Sequence, residues 1–317
     1  MDVNRDKPDL WKRDIRESVD CFNKWFMEFA PRVFKEERVK TAKFVKEGMI
    51  EANDFRSITP DLLRRKPAIV KMLRMATCPP IARDRLIGLA EASKNLVGKM
   101  EDANRLPPRM ASDEAEAQLS RICDIIQKLL DTDLFEWLAS ERDAPDEMRT
   151  RAATVVADRL CGSLSDPIIR NAQEQRQLVR IGDYLTAKGY EQKAPSPKAE
   201  LSAMDPGTYS FRTNILVGPE DRPVKLPIDA IIQPHNNGGK LPVLVEAKSA
   251  GDFTNVNKRR KEEAKKMSQL RAKYGEGVAF VLFLCGYFDT GYLGYEAAEG
   301  IDWVWEHRIE DLDKFGI

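Results

Sequence analysis

Apolar positions in the first half of the chain recur every three or four residues, which is the period of a helix with one buried face. Trp11, Ile15, Val19, Phe22, Phe26 and Phe29 form one such stripe, ended or redirected at Pro31. Thr59-Pro60-Asp61 supplies an N-cap, a proline at the first helical position and an acid in the first turn. It opens a helix through Leu62, Leu63, Ile69, Val70 and Leu73 that stops before Cys78-Pro79-Pro80. A further helix follows through Ile81, Leu86, Leu89 and Leu96 until Leu106-Pro107-Pro108. From about Asp113 to Leu138 the helical period is held by Leu119, Ile122, Ile126, Leu129, Leu130 and Leu134, and Pro145-Asp146 starts the next helix. Residues 1–163 are expected to form an all-helical domain.

Beyond that point the pattern changes. Asp166-Pro167 is expected to cap a helix carrying Ile168, Ile169, Ala172, Leu178, Ile181 and Leu185, with Gly189 just past its end. A linker is expected from Gln192 to Pro206, where Pro195 and Pro197 fall. Tyr209 to Val217 alternates as a strand does. Two apolar runs follow, Leu226 to Ile232 and Leu241 to Lys248, separated by Pro234-His235-Asn236-Asn237-Gly238-Gly239, a hairpin signal. After the polar turn Ser249 to Asn255 come a helix from about Asn257 to Lys273 and a buried strand over Gly277 to Leu284. Residues 164–317 therefore read helix, three strands, helix, strand, and the whole chain as α+β.

Composition narrows the chemistry. A hydrophobic fraction of 42% builds real cores, and 51 basic residues balance 51 acidic ones, so any nucleic-acid contact must come from a local patch. The five cysteines are scattered and odd in number, which argues against a disulfide framework and a zinc site and points to a reduced cytoplasm. With only His235 and His307, histidine-based triads are nearly excluded. No apolar run is long enough to span a bilayer, and none resembles a signal peptide.

The hairpin carries the candidate chemistry. Side chains alternate along a strand, so Glu246 and Lys248 share a face, and a neighbouring strand brings Asp229 beside them. Two close carboxylates repel unless a cation lies between them, and Mg²⁺ typically takes one or two carboxylates plus waters and phosphate oxygens. A lysine there is placed to orient or activate an attacking water. By itself the pattern also reads as an edge-strand ion pair. Pro227-Ile228-Asp229 followed by Glu246-Ala247-Lys248 resembles the PD-(D/E)XK nuclease signature, with the proline one residue further from the acid than the name implies. That resemblance implies an αβββαβ core with a mixed sheet, after a helical N-terminal domain. It also implies Mg²⁺ held by Asp229, Glu246 and the Ala247 carbonyl, with Glu174 on the preceding helix as an additional acid. Glu174 reads equally as a solvent-facing partner of Arg170 or of charges near Lys188.

Lys248 to Glu263 is similar, nearly position by position, to a block of the XamI-like type II restriction endonucleases, and Arg74 to Leu86, with its double proline and Arg74, Arg83 and Arg85, resembles another block of that family without assigning a role to any arginine. The likeness extends from about Leu73 to Leu284. It implies Mg²⁺-dependent cleavage of double-stranded DNA at a short, palindromic site by a homodimer, paired functionally with a DNA methyltransferase. Lys258, Arg259, Arg260 and Lys261, at the start of a helix beside the acids, suit phosphate contacts, and Asn255 and Asn257 suit polar base or sugar groups. With Glu262, Glu263, Lys265 and Lys266 on the same helix, some of its charges are expected simply to face water. For the proline-arginine block the residues alone favour a rigid connection between helices with solvated charges over a DNA contact or dimer seam. Two other readings stay open: a structure-specific or repair nuclease of the same fold, and a DNA-binding module without catalysis.

Overall fold

The structure, a computed structural model, describes residues 2–140, 143–194, 201–219, 221–236, 238–254 and 256–317, the side chains of 256–259 excepted. Contacts group the chain into two units: residues 30–168, and residues 1–29 together with 169–317.

Helix α1 (Pro8–Glu51) does not end at Pro31. Pro31 and Met27, whose carbonyl loses its N–H partner there, are both exposed, so water can take the freed carbonyl. Buried residues on both sides, Phe22 and Val33 among them, hold the helix together. The helices α2 (Pro60–Arg65), α3 (Val70–Met75), α4 (Arg83–Leu89), α5 (Lys94–Ala103) and α6 (Ser112–Leu129) follow. Thr59 caps α2 as the sequence indicates, accepting the Leu62 N–H at 3.2 Å. Helix α6 stops at Leu129, short of the Leu138 expected, because Leu130 turns into a β-bridge with Thr77. Leu73, Leu96, Leu119, Ile122 and Phe135 are fully buried in the core of this unit.

Of the arginines in the proline-rich block, Arg74 belongs to this core, Arg83 lies at its edge and Arg85 faces solvent. Arg74 is buried, donates to both carboxylate oxygens of Glu101 at 2.6 and 3.0 Å, and donates to the Ile81 carbonyl at 2.6 Å. Arg83 reaches the same Glu101 at 2.8 Å and also pairs with Asp102. One carboxylate thereby joins α3, α4 and α5; Arg85 is exposed.

Helix α7 (Asp146–Ala187) runs through Pro167, where a new helix was expected. As at Pro31, the proline and Ser163 four residues before it are exposed, and the helix continues. Gly189 takes φ +82° just past its end, a left-handed conformation that glycine adopts without steric cost. The strands β1 (Glu191–Gln192), β2 (Thr208–Val217), β3 (Val224–Gln233) and β4 (Val243–Ala250) follow, then α8 (Val256–Tyr274), β5 (Phe280–Gly286), α9 (Thr290–Ala298) and β6 (Asp302–Trp305). They form one six-stranded sheet in the order β1-β2-β3-β4-β5-β6. The β2/β3 and β3/β4 pairs are antiparallel and the others parallel, so the sheet is mixed, with α7-β2-β3-β4-α8-β5 as its αβββαβ core. Strand β6 and helix α9 extend it beyond what the sequence indicated. Of the expected linker, residues 195–200 lie outside the described residues, while Leu201 is buried in the core.

Both faces of the sheet are covered. On one, Leu244, Leu282, Leu284 and Trp303 pack with Met267 and Leu270 of α8 and Leu293 of α9. On the other, Val245, Val281 and Phe283 pack with Ile181 and Leu185 of α7 and with Ile309 and Leu312 of a closing 3-10 segment (Glu306–Phe315). The N-terminal residues also pack on this unit, not with the helical segment in which residues 1–163 were grouped. Val3 N–H donates to Asp302 at 2.6 Å, Asn4 donates to the Trp303 carbonyl at 2.8 Å, and Ser18 accepts the Gly286 N–H at 2.8 Å. No helix among the described residues is long and apolar enough to cross a membrane.

Candidate active site

β3 and β4 part where the candidate residues begin. Their ladder pairs Ile232 with Val243, Ile231 with Leu244 and Ala230 with Val245. Past that pair, the backbone N–H of Ala247 is taken by the side chain of Asp229, whose Oδ2 accepts it at 2.9 Å. The carboxylate is thus fixed by β4 while sitting on β3.

Glu246 and Lys248 share the face turned to α8. Lys248 Nζ donates to Glu246 Oε1 at 2.9 Å, and Lys266 Nζ, from α8, reaches the same oxygen at 2.6 Å. Lys266 also donates to the Pro227 carbonyl at 2.9 Å, so it bridges the parted strands. Glu246 is buried, and its Oε2 has no hydrogen-bond partner among the described residues. Burial, and next the Glu246 charge, push the Asp229 carboxyl up to about 6, with Glu174 adding to the push and the Ala247 N–H and Lys248 opposing it. Burial works against the Lys248 ammonium, but Glu246 and Glu263 outweigh it and hold its pKa above the usual lysine value.

A second group of acids lies behind this one. Glu263 is 1% exposed and its carboxylate is 3.9 Å from Lys248 Nζ. The Tyr292 hydroxyl donates to Glu263 at 2.7 Å, and Glu296, also fully buried, lies within hydrogen-bonding reach of Glu263. Burial first and Glu263 second push Glu296 up to about 9, so it carries its proton at neutral pH and can donate it to the Glu263 carboxylate. Some charges of this helix were expected to face water, and Lys261 and Glu262 do, whereas Glu263 is buried and Lys266 is turned to Glu246. A sequence signal did exist: Glu263 stands in register with Met267 and Leu270 on the buried stripe of α8, a core position for an acid.

Helix α7 contributes polar contacts to β4, β5 and β2 through Gln173, Gln177 and Glu174. Gln173 bonds the Ser249 hydroxyl, and Gln177 donates to the Lys248 carbonyl at 3.3 Å and the Phe283 carbonyl at 3.2 Å. Between them Glu174 accepts from Arg212 of β2 at 3.0 Å, not from Arg170 or the charges near Lys188. Its charge is felt at Asp229.

Of the basic segment, Asn255 lies outside the described residues, and so do the side chains of Asn257, Lys258 and Arg259 on the first turn of α8. Arg260 lies over the Tyr295 ring at 3.5 Å, and Lys261 is exposed. All five cysteines are free thiols, yet the fold brings Cys21 and Cys285 beside Glu306. Arg176 fills that place, 2.9 Å from Glu306 and 3.4 Å from the Cys285 sulfur.

The donors at the strand fork suit a hard cation. They are carboxylate and carbonyl oxygens; one buried carboxylate oxygen lacks a partner, and the second acid is ionised less readily than an ordinary aspartate. Two lysines alone leave that demand unmet.

Comparison with known proteins gives the family of the chain. The chain is 52% identical over 315 residues to the type II restriction enzyme SalI of Streptomyces albus G, covering 99% of each chain. A solved structure, protein VC1899 from Vibrio cholerae, aligns with 80% of this chain and 55% of its own at 13% identity, and its TM-score of 0.28 is too low for either fold to inform the other. Residues 53–305 match the family described as XamI restriction endonuclease, and the chain belongs to that family.

Proposed function

We infer that the protein is a type II restriction endonuclease that cleaves double-stranded DNA at a specific site with a divalent cation, Mg²⁺. The observation that carries this is the fork of β3 and β4, where Asp229, Glu246 and Lys248 meet in a chain with end-to-end similarity to a restriction enzyme.

Asp229, Glu246 and the Ala247 carbonyl are the groups that would hold the cation. When bound, Mg²⁺ supplies Lewis-acid polarisation of the phosphate and lowers the pKa of a coordinated water. The chain's own residues do the rest. Lys248, held in its charged form by Glu246 and Glu263, orients the attacking water and offsets charge building on the phosphate. Lys266 fixes Glu246 from the α8 side. Glu174 serves as an accessory acid on the α7 side. Lys258, Arg259, Arg260, Lys261, Asn255 and Asn257 are assigned to DNA contacts on their place in the sequence, the basic ones to phosphates. Cutting both strands of a palindromic site takes two such centres related by a two-fold axis, so the working form is a homodimer, for which residues 30–168 supply a seam, base contacts or both. A DNA methyltransferase protecting the same site is the expected functional partner.

The test is digestion of unmethylated phage DNA with Mg²⁺ beside the Streptomyces albus G enzyme, with the fragment ends sequenced. Discrete bands that vanish with a chelator are expected. A smear, or cutting only at flaps or ends, would move the assignment to a structure-specific nuclease, and binding without any cleavage to a non-catalytic module.

A further inference from the structure

The β2/β3 ladder keeps one register from Thr208–Gln233 to Val217–Val224, and the position left without a pair is Arg212, which stands opposite Asp229. Arg212 takes φ +50° and is the one residue within a strand, among those described, that is not glycine and lies in the left-handed region. A long side chain pays a steric penalty there. The alternation of both strands slips at the same place. Tyr209 and Phe211 pack with the α7 face, whereas Ile215 and Val217, also odd-numbered, pack with the α8 face. Across the ladder, Leu226 and Ile228 pack on the α8 face and Ala230 and Ile232 on the α7 face.

The outcome of this interruption is a cation turned to Glu174, the α7 acid whose charge is felt at Asp229. Arg212 Nη2 donates to Glu174 at 3.0 Å and to the Gln175 side-chain oxygen at 3.3 Å, yet its side chain remains 56% exposed and that of Glu174 42%. An ion pair this exposed is weak and does not account for a strained residue in the middle of a ten-residue strand. Strain kept at such a position is characteristic of functional sites, and a guanidinium fork matches two oxygens of a phosphate as it matches a carboxylate.

We propose that Arg212 is a further catalytic residue: when DNA enters, its guanidinium passes from Glu174 to the phosphate at the cleaved bond and neutralises the charge that builds on its oxygens. This deepens the nuclease reading and rests on it. Glu174 stands in for the phosphate in the free protein and is released toward Asp229 as DNA binds.

The experiment compares single-turnover cleavage by wild type, Arg212→Gly, Arg212→Lys and Glu174→Gln, with and without added guanidinium ion. Arg212→Gly relieves the backbone strain, so it is expected to melt no lower than wild type. Its rate should nevertheless fall by about a hundredfold or more, as for loss of one charge-stabilising donor, and guanidinium should restore part of it. Arg212→Lys, a point charge without the fork, should fall between them. If Arg212 only holds Glu174, then Arg212→Gly and Glu174→Gln will lose the same factor and guanidinium will rescue neither, which overturns the proposal. A near-normal rate for Arg212→Gly overturns it as well. Failure of the nuclease reading itself would look different, since wild type would then cut nothing.

Discussion

The Asp229 carboxylate accepts the Ala247 backbone N–H at 2.9 Å, just past the last paired residues of β3 and β4. One side chain thus does two things: it replaces a lost ladder bond, and it places a negative charge across from Glu246. The two tasks separate under mutation.

Asp229→Asn keeps an oxygen for the Ala247 N–H but removes the charge, whereas Asp229→Ala loses both. Both variants should lose cleavage by at least about a thousandfold while still binding DNA, because the basic contacts are untouched. Only the alanine variant should also melt lower, by roughly the 1–3 kcal/mol of an unsatisfied buried donor. Cleavage assays, DNA titrations and thermal melts on the pair check this, and near-normal turnover by Asp229→Asn would remove Asp229 from the metal site.

Lys248 and Lys266 hold the same Glu246 oxygen from two elements, but Lys248 alone also lies against Glu263. Lys248→Ala should lower the single-turnover rate by about a hundredfold or more. Lys266→Ala acts through Glu246 and should cost nearer tenfold, with a shift in the Mg²⁺ concentration needed for half-maximal rate. Equal losses, with Mg²⁺ dependence unchanged, would put Lys266 in direct contact with the reacting phosphate.

Asp229, Glu246 and Lys248 were legible because they belong to one hairpin, where period-two alternation and a turn signal fix the geometry over a short stretch of chain. Glu263, Tyr292 and Glu296 were not, since their meeting depends on how α8 and α9 pack against β5, which no local pattern encodes. The N-terminal residues illustrate the same limit: Asn4 and Ser18 dock on Trp303 and Gly286, nearly the whole chain away. Pro31 and Pro167 misled for the opposite reason, because a strong local rule was overridden by packing on either side of an exposed proline. The slip at Arg212 is invisible in a strand whose residues otherwise alternate well.

Glu296 is protonated in the folded protein because burial and Glu263 push it up to about 9, against about 4.5 for the ordinary carboxyl. The folded state then holds a proton that the unfolded chain releases between those two values, so this contribution to stability is complete below about pH 4.5 and is lost as pH rises toward 9. Glu296→Gln, a neutral isostere that still donates toward Glu263, lacks the proton to lose. It should melt higher than wild type at pH 8.5, by about 2–4 °C per kcal/mol gained, and the difference should shrink toward pH 5. A constant difference between pH 5 and 8.5 would mean that Glu296 is ionised in the fold.

The last expectation concerns how a chain of zero net charge holds DNA. Arg260 is committed in part to the Tyr295 ring, so removing it mixes a packing loss with a charge loss. The test uses Arg259 and the exposed Lys261. If they contact phosphates, Arg259→Gln with Lys261→Gln should weaken binding to cognate and unrelated duplexes by similar factors, because phosphate contacts release counterions without reading bases. The plot of log affinity against log salt should flatten by roughly one unit per lost contact. Base-reading residues behave otherwise: their loss relaxes discrimination at one base pair and leaves the salt slope in place, since a bidentate pair with guanine is a contact to an edge, not to a charge. Titrations over a range of salt with one cognate and one scrambled duplex separate the two, and an unchanged slope with relaxed specificity would assign this segment to base recognition instead.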